Sequence, residues 1–401
     1  MTTRATARGQ ARTSLEGTSV DVLICGASFA GLAVARELAG SGAQVLVVDR
    51  YEIGERPTSA CATPTPWLLA MGLSEAISQE IPQMRFITPH GSVRYRLPWS
   101  WSSFDYRRLC ELLYEQSDAR FETAKVEGRL ERGHPAPGEP IAVSTDRGVI
   151  RAPLVVDALG WRRVLGASGY QPPDAPLSRG LEVHPPVGPE PTTDLDVWLE
   201  RSLVRSGYGW CVPAGGEARV GVGSYDPAQH VRESTVELAE RLEMEPVRYQ
   251  GNWFPHRLRA STEDGVFFAG DSAGHCFALS GEGIRTAFYF GIACGRELRA
   301  VIEEGRSRQD ALERYQSFSA GHRRAFAVAL GLQRLIPALP PRLLTLGLRA
   351  IDRRWILDRA FGWYLDQAHP SFRGVAPTVP RMGTPIESSI EESIEPLQYP
   401  R

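Results

Sequence analysis

Val20-Asp-Val-Leu-Ile-Cys-Gly-Ala-Ser-Phe-Ala-Gly-Leu32, running on to Val45-Leu-Val-Val-Asp49, is the stretch on which the reading of this chain turns. The apolar run at 22 to 25 is what a parallel strand buried on both faces requires. Gly26-x-Ser28-x-x-Gly31 follows at once, a G-x-G-x-x-G pattern with serine in the middle position. Gly26 permits a tight strand-to-helix turn, and Gly31 lets the helix lie close on the sheet. The small Ser28 still admits close approach, and Phe29 and Ala30 open a helix whose exposed amides face a pyrophosphate. A second strand ends in Asp49, 23 residues beyond Gly26, near the roughly 20 expected of the acid that grips a ribose 2′-hydroxyl. An ordinary tight βα turn is the competing reading. Strand, motif, helix, strand and acid in register point instead to an adenine dinucleotide without a 2′-phosphate, held by Gly26, Ser28, Phe29, Ala30, Gly31, Asp49 and its neighbour Arg50.

The 401 residues, 42% of them hydrophobic, suffice for two or three domains. A net charge of −2 gives no general attraction to nucleic acid, so a small molecule is the expected partner. The six cysteines show no C-x-x-C spacing and the eight histidines no H-E-x-x-H, so neither a disulfide framework nor a metal site is expected, and a reducing cytoplasm fits. Residues 1–18 carry Arg4, Arg8 and Arg12 with no apolar run behind them and read as a disordered tail rather than a signal peptide. No run reaches the roughly 18 apolar residues that a membrane span needs.

Past Asp49 the loop Gly54 to Pro66, dense in proline and small residues, starts beside the pyrophosphate and carries Cys61 toward the reactive end of the cofactor; an inert buried thiol is the alternative. Alternation at 84–97 around Pro89-His-Gly-Ser92 predicts a hairpin in a second domain. Trp99 and Trp101 follow as candidates for an apolar pocket or for core and rim. A helix is expected from Tyr106 to Gln116 and strands at 120–131 and 141–144. Leu154-Val-Val-Asp-Ala-Leu-Gly160 reads as another buried strand, returning to the first sheet and ending at Gly160 against the dinucleotide. Pro172 to Pro191 reads as a passage between domains, followed by short strands to Tyr225 and a helix from Ser234 to Met244. Gly265 to Gly274 is then a strand ending in Gly270-Asp271, and Gly281-Glu-Gly-Ile284 opens a long helix, placing one acid and a cluster of free amides around the same ligand. The later helices, 308–366, mix arginine with leucine and tryptophan. They suit packing on the protein itself or peripheral membrane contact.

Together Gly26-x-Ser28-x-x-Gly31 with Asp49, Ala158-Leu-Gly160, and Gly270-Asp271 with Gly281-Glu-Gly283 resemble the FAD-dependent oxidoreductases of the glutathione-reductase-like fold that lack a separate nicotinamide domain. Gly207-Tyr-Gly-Trp-Cys-Val-Pro213, Val220-Gly-Val-Gly223 and Leu279-Ser-Gly-Glu-Gly-Ile284 resemble the geranylgeranyl reductase family more closely, over roughly residues 20 to 300. The resemblance implies an α/β fold: a Rossmann-like FAD-binding domain (19–82, 104–165 and 258–325) interleaved with an α+β substrate domain built on an antiparallel sheet (83–103 and 166–257). C-terminal helices (326–380) and a flexible tail (381–401) follow. It also implies that Asp49 holds the adenosine ribose, Asp271 the ribityl and pyrophosphate region, and the helix after Gly281, with Gly283 and Ile284, the pyrimidine edge of the flavin. Tyr208 and Trp210 then line an isoprenoid pocket and Cys61 sits near the flavin. The chain departs from the family pattern at Arg205, Val212, Ala278 and Tyr106. Arg107 is the candidate replacement for an arginine usual at 106, and Arg205 hints at a substrate with an anionic or polar end.

The expected chemistry is hydride transfer from reduced FAD to a carbon–carbon double bond of an isoprenoid or another apolar secondary metabolite, with the protein supplying orientation and electrostatics. Tyr208, Cys61, Glu282 or water is the proton source. Monooxygenation of a natural-product intermediate is the rival, and a non-catalytic flavin-binding protein the third reading. Halogenation is disfavoured, because the single lysine, Lys125, is expected in a strand away from the flavin. No second glycine fingerprint follows a later strand, so the electron donor is NAD(P)H docking transiently or another external redox partner.

Overall fold

Val22–Cys25 is a central strand of a six-stranded sheet, its four side chains fully withdrawn from water. Burying each of Val22, Leu23 and Ile24 contributes roughly 1.5–3 kcal/mol. Val45–Asp49 and then Arg120–Thr123 lie parallel on one side, Leu154–Asp157 and Val266–Phe268 parallel on the other, and Thr262–Glu263 closes that edge antiparallel. The order of connection therefore reverses between Val22–Cys25 and Leu154–Asp157. Ligands bind at that place in an open α/β sheet, beyond the carboxyl ends of the strands. The computed structural model describes residues 12–57, 60–131, 133–167, 177–187 and 193–373; the tail at 381–401 and residues 172–176 and 188–191 of the passage lie outside these, while Leu177–Val183 within it is a strand.

One face of the sheet is covered by the helices Phe29–Glu37, Tyr106–Glu115 and Ile284–Glu304. A four-stranded sheet covers the other: Thr18–Ser19, Gly148–Ala152, Ile141–Thr145 and Val126–Arg129. Two expectations change here. The strand expected at 120–131 is two strands in different sheets: Ala124 N–H donates to the Asp49 carbonyl at 2.7 Å and Lys125 N–H to Asp146 at 2.8 Å, which turns the chain from one sheet to the other. Residues 12–18 are not a disordered tail either. Leu15 is buried, the Arg12 guanidinium donates to Asp146 at 3.0 Å, and Thr18–Ser19 pairs with Gly148–Ala152.

An eight-stranded sheet forms the second domain, in the order Gln250–Pro255, Leu177–Val183, Ala218–Ser224, Gly207–Pro213, Asp194–Trp198, Ile77–Thr88, Gly91–Phe104 and Ala62–Pro64. The hairpin is longer than the apolar alternation at 84–97 predicts, and the sheet takes in residues assigned above to the cofactor domain. Ile77–Thr88 pairs with Gly91–Phe104 beyond the apolar stretch, Gln79 opposite Ser103 and Glu80 opposite Ser102, so the backbone ladder carries these two whatever their polarity. The helix Arg232–Arg241 seals the outer face of this sheet. The chain closes with the helices Arg308–Gly321, Arg323–Leu335, Pro341–Ile351 and Arg354–Asp366; the break between the second and third falls at Pro337, Pro340 and Pro341 as the sequence predicts, and those at His322 and Asp352-Arg353 are additional.

Candidate functional site

Gly26 has φ +114°, and a Cβ there would stand 2.3 Å from the Ala158 carbonyl oxygen; at Gly31 it would stand 1.9 Å from that of Gly26. Both positions exclude any side chain, so the turn is drawn tight against the strand end at 158–160. Asp49 is fixed beneath it, its carboxylate accepting from the amides of Ala27 at 2.9 Å and Tyr51 at 3.0 Å. Burial raises its pKa and those amides oppose the rise. Ser28 caps no amide with its side chain and instead accepts from the Tyr106 hydroxyl at 3.0 Å. The first-turn amides of Phe29–Glu37 thus have no acceptor within the helix, and the positive end of its dipole faces the cavity. This cradle fits a pyrophosphate.

Asp157, not singled out from sequence, holds the next two turns together. It accepts from the Ser272 hydroxyl at 2.7 Å and from the amides of Leu159 at 3.0 Å and Leu165 at 2.8 Å. Gly160 (φ +84°) and Gly270 (φ +65°) are therefore brought to the same rim. Burial pushes the Asp271 carboxyl up to about 6, against the pull of Arg259. A Cβ on Gly283 would lie 3.5 Å from its Oδ1, so acid and helix start face each other. Gly281, Gly283 and Ile284 line the cavity there, and Ile284–Glu304 begins with no side-chain cap.

A single cavity of about 1040 Å³ runs from this cradle into an apolar chamber. Alternation along Gly207–Pro213 turns Tyr208, Trp210 and Val212 into it and Gly209 and Cys211 toward the covering helix. The Trp210 indole lies flat on three glycines: an added Cβ would come within 3.4 Å of it at Gly180, 2.3 Å at Gly221 and 3.3 Å at Gly223. Its Nε1 donates to Glu182 at 3.2 Å, a buried carboxylate also hydrogen-bonded to His184 at 2.9 Å and Gln250 at 3.0 Å. Sequence reasoning missed Glu182, since a lone acid in an apolar strand carries no spacing signal.

The remaining expected residues divide. Cys61 is buried on the cavity wall with φ +52°, its carbonyl accepting from Arg219 at 3.0 Å, and Trp101 and Arg50 also line the wall. Three residues fall outside the cavity. Trp99 is displaced by a register shift after the Ile81–Trp101 pair and its ring meets His369 at 5.2 Å. Arg205, in the loop before the Tyr208 strand, is exposed, so the chamber's buried charge is the Glu182 carboxylate and not a guanidinium. Arg107 points to solvent, one step round the helix from Tyr106, which lines the wall in its place. Lys125 borders the cavity from the turn between two strands rather than lying within one.

The two proton-source candidates on either side of Gly281 are engaged. The Tyr208 hydroxyl donates to the Ser280 carbonyl, and burial raises its pKa. Glu282 receives Arg285 Nε at 2.8 and 2.9 Å and the Tyr364 hydroxyl. Arg285, fully buried, also donates to the carbonyls of Tyr364 at 3.0 Å and Leu365 at 2.9 Å, tying the last helix to the start of Ile284–Glu304. The geometry corrects the expectation for Glu282: both carboxylate oxygens serve an internal ion pair that anchors the C-terminal helix.

This sheet order, with a dinucleotide cradle opening into a chamber on an interleaved antiparallel sheet, is the Rossmann-type fold of FAD-dependent reductases, monooxygenases and halogenases, all of them enzymes. No family model matches the sequence. The chain is similar to digeranylgeranylglycerophospholipid reductase 2 of Methanosphaera stadtmanae, 23% identical over 337 residues that cover 75% of this chain and 83% of that protein. Its structure is similar to a geranylgeranyl bacteriochlorophyll reductase-like protein from Thermoplasma acidophilum (TM-score 0.75, 17% identity, 88% of this chain and 98% of the other). It is also similar to p-nitrophenol 4-monooxygenase from Pseudomonas putida (TM-score 0.68, 16% identity, 88% and 98%) and to a probable FAD-dependent monooxygenase from Pseudomonas aeruginosa (TM-score 0.64, 18% identity, 83% and 100%). The resemblance read from the motifs is the one these comparisons return.

Proposed function

We propose that the chain binds FAD and reduces a carbon–carbon double bond of an isoprenoid or similar apolar metabolite. The observation that carries this reading is the continuity of one cavity from the glycine cradle to a chamber floored by Trp210. The first-turn amides of Phe29–Glu37 hold the pyrophosphate, Asp49 the adenosine ribose and Asp271 the ribityl hydroxyls. The amides opening Ile284–Glu304 bind the pyrimidine edge, where an N-terminal dipole favours negative charge. Bound and reduced, the flavin supplies a hydride. The chain's part is to align the alkene on the Trp210 face, exclude water with apolar walls and keep a proton available, with Cys61 on the wall as the remaining side-chain candidate. The electron donor is NAD(P)H docking transiently or a redox partner.

Anaerobic reduction of the holoprotein followed by mixing with polyprenyl alkenes tests this. Rapid reoxidation with a saturated product is the expected result. Reoxidation only by air, with one atom of labelled oxygen in the product, would make the chain a monooxygenase. Reoxidation dependent on neither substrate would leave a flavin-binding protein without catalysis.

A further inference from the structure

The C-terminal helices carry apolar side chains that face water. Leu335, Leu343 and Leu346 are 52%, 56% and 58% exposed, and Trp355 is 68% exposed. Pro341–Ile351 packs inward through Thr345, which shares a hydrogen bond with Thr88 at 2.7 Å, and through Leu348, whose carbonyl accepts from the Tyr95 hydroxyl. This anchorage turns Leu343 and Leu346 outward beside the exposed Arg342 and Arg349. The exposed apolar side chains are also where the cavity opens: Leu335, Leu343 and Trp363 line its wall and reach the surface. Residues 323–366 hold eight arginines against three aspartates, a net +5 in a chain whose total is −2.

We propose that this face docks on an anionic lipid surface, with the cavity mouth opening into the apolar layer so that a lipidic substrate reaches the chamber without crossing water. Apolar side chains ringed by arginine are the composition of an interfacial helix face. No helix among the described residues is long and apolar enough to cross a membrane, so the contact is peripheral. A second copy of the chain is disfavoured as the occupant, because a two-fold contact sets two net-positive faces against each other. The identity of the passenger rests on the isoprenoid reading; the docking does not.

The test is co-sedimentation of full-length holoprotein with phosphatidylglycerol or phosphatidylcholine vesicles, with no alkene present. Binding to the anionic vesicles, weakened by added salt, is expected. Leu343→Ser/Leu346→Ser/Trp355→Ser should weaken it by about tenfold or more, and Arg342→Gln and Arg349→Gln by about fivefold each. Retained flavin absorbance is the folding control. If the triple variant loses flavin, Trp355→Ser alone gives the readout, since its side chain supports nothing inside. Absence of binding to anionic vesicles, binding indifferent to these substitutions, or a dimer that the same substitutions dissociate would each overturn the proposal. Since no substrate is present, these outcomes are distinct from failure of the reductase reading, which appears only in the anaerobic assay.

Discussion

The two ends of the cavity are made of different material. At the cradle the ligand-facing groups are backbone amides, positioned because Gly26 and Gly31 allow chain segments to approach more closely than any side chain permits. In the chamber they are side chains, Tyr208, Trp210 and Val212, projected from a strand whose neighbours supply only a floor. Backbone geometry is intolerant of substitution and indifferent to substrate; a side-chain wall is the reverse. The difference explains how one fold keeps a cofactor while its chamber, remade by a few residues, suits reductases and monooxygenases alike.

The sharpest way to break that contrast is Arg285→Met, which leaves the Glu282 carboxylate buried with the Tyr364 hydroxyl but without its cation and loosens the last helix. A cost of about 3–5 kcal/mol is expected in denaturant unfolding. A near-native unfolding midpoint would show that the ion pair does not tie the two ends together. Gly31→Val strikes the cradle alone: overpacking of about 3 kcal/mol, roughly a hundredfold in FAD affinity, should give a colourless protein. A yellow Gly31→Val preparation would refute the backbone account. Trp210→Ala should do the opposite, leaving FAD content unchanged while the KM for an alkene rises about tenfold through lost apolar contact.

Asp271 gives a pH signature of the cradle. Its carboxyl in the folded chain, at about 6, lies above its ordinary value of 3.8. Its contribution to stability of the FAD-free protein is therefore fully present below that ordinary value and is lost as pH rises through about 6. FAD hydroxyls donate more strongly to the ionised form, so FAD affinity should rise over the same interval. Unfolding and FAD titrations on wild type and Asp271→Asn check both signs, and a pH step persisting in the variant would remove Asp271 from the site. The smallest effect is expected for Tyr208→Phe, which removes a hydroxyl bound to the Ser280 carbonyl: about 1 kcal/mol in stability and a rate within severalfold of wild type. A loss of about a hundredfold or more in rate would instead restore Tyr208 as the proton source.

What was legible in the sequence follows the same division. Gly26, Gly31, Asp49, Gly160, Gly270 and Gly281 could be picked out because turns and close approaches leave fixed spacings along the chain. Tyr208 and Trp210 came from the family resemblance alone. Arg205 and Arg107 misled because a spacing does not say which way a side chain faces, and Trp99 because the register shift after Trp101 cancels the alternation that paired the two tryptophans. Asp157 and Glu182 were invisible for a different reason: their partners Ser272 and Gln250 lie 115 and 68 residues away.

By itself the sequence determined the parallel sheet, the dinucleotide turn and the acids beside it, since local periodicity and glycine stereochemistry act over a few residues. Only the tertiary structure decided that Glu282 is an anchor, that Trp210 rests on a glycine floor, and that the C-terminal helices frame the mouth of the chamber. Those are contacts between distant segments, and no local pattern encodes them.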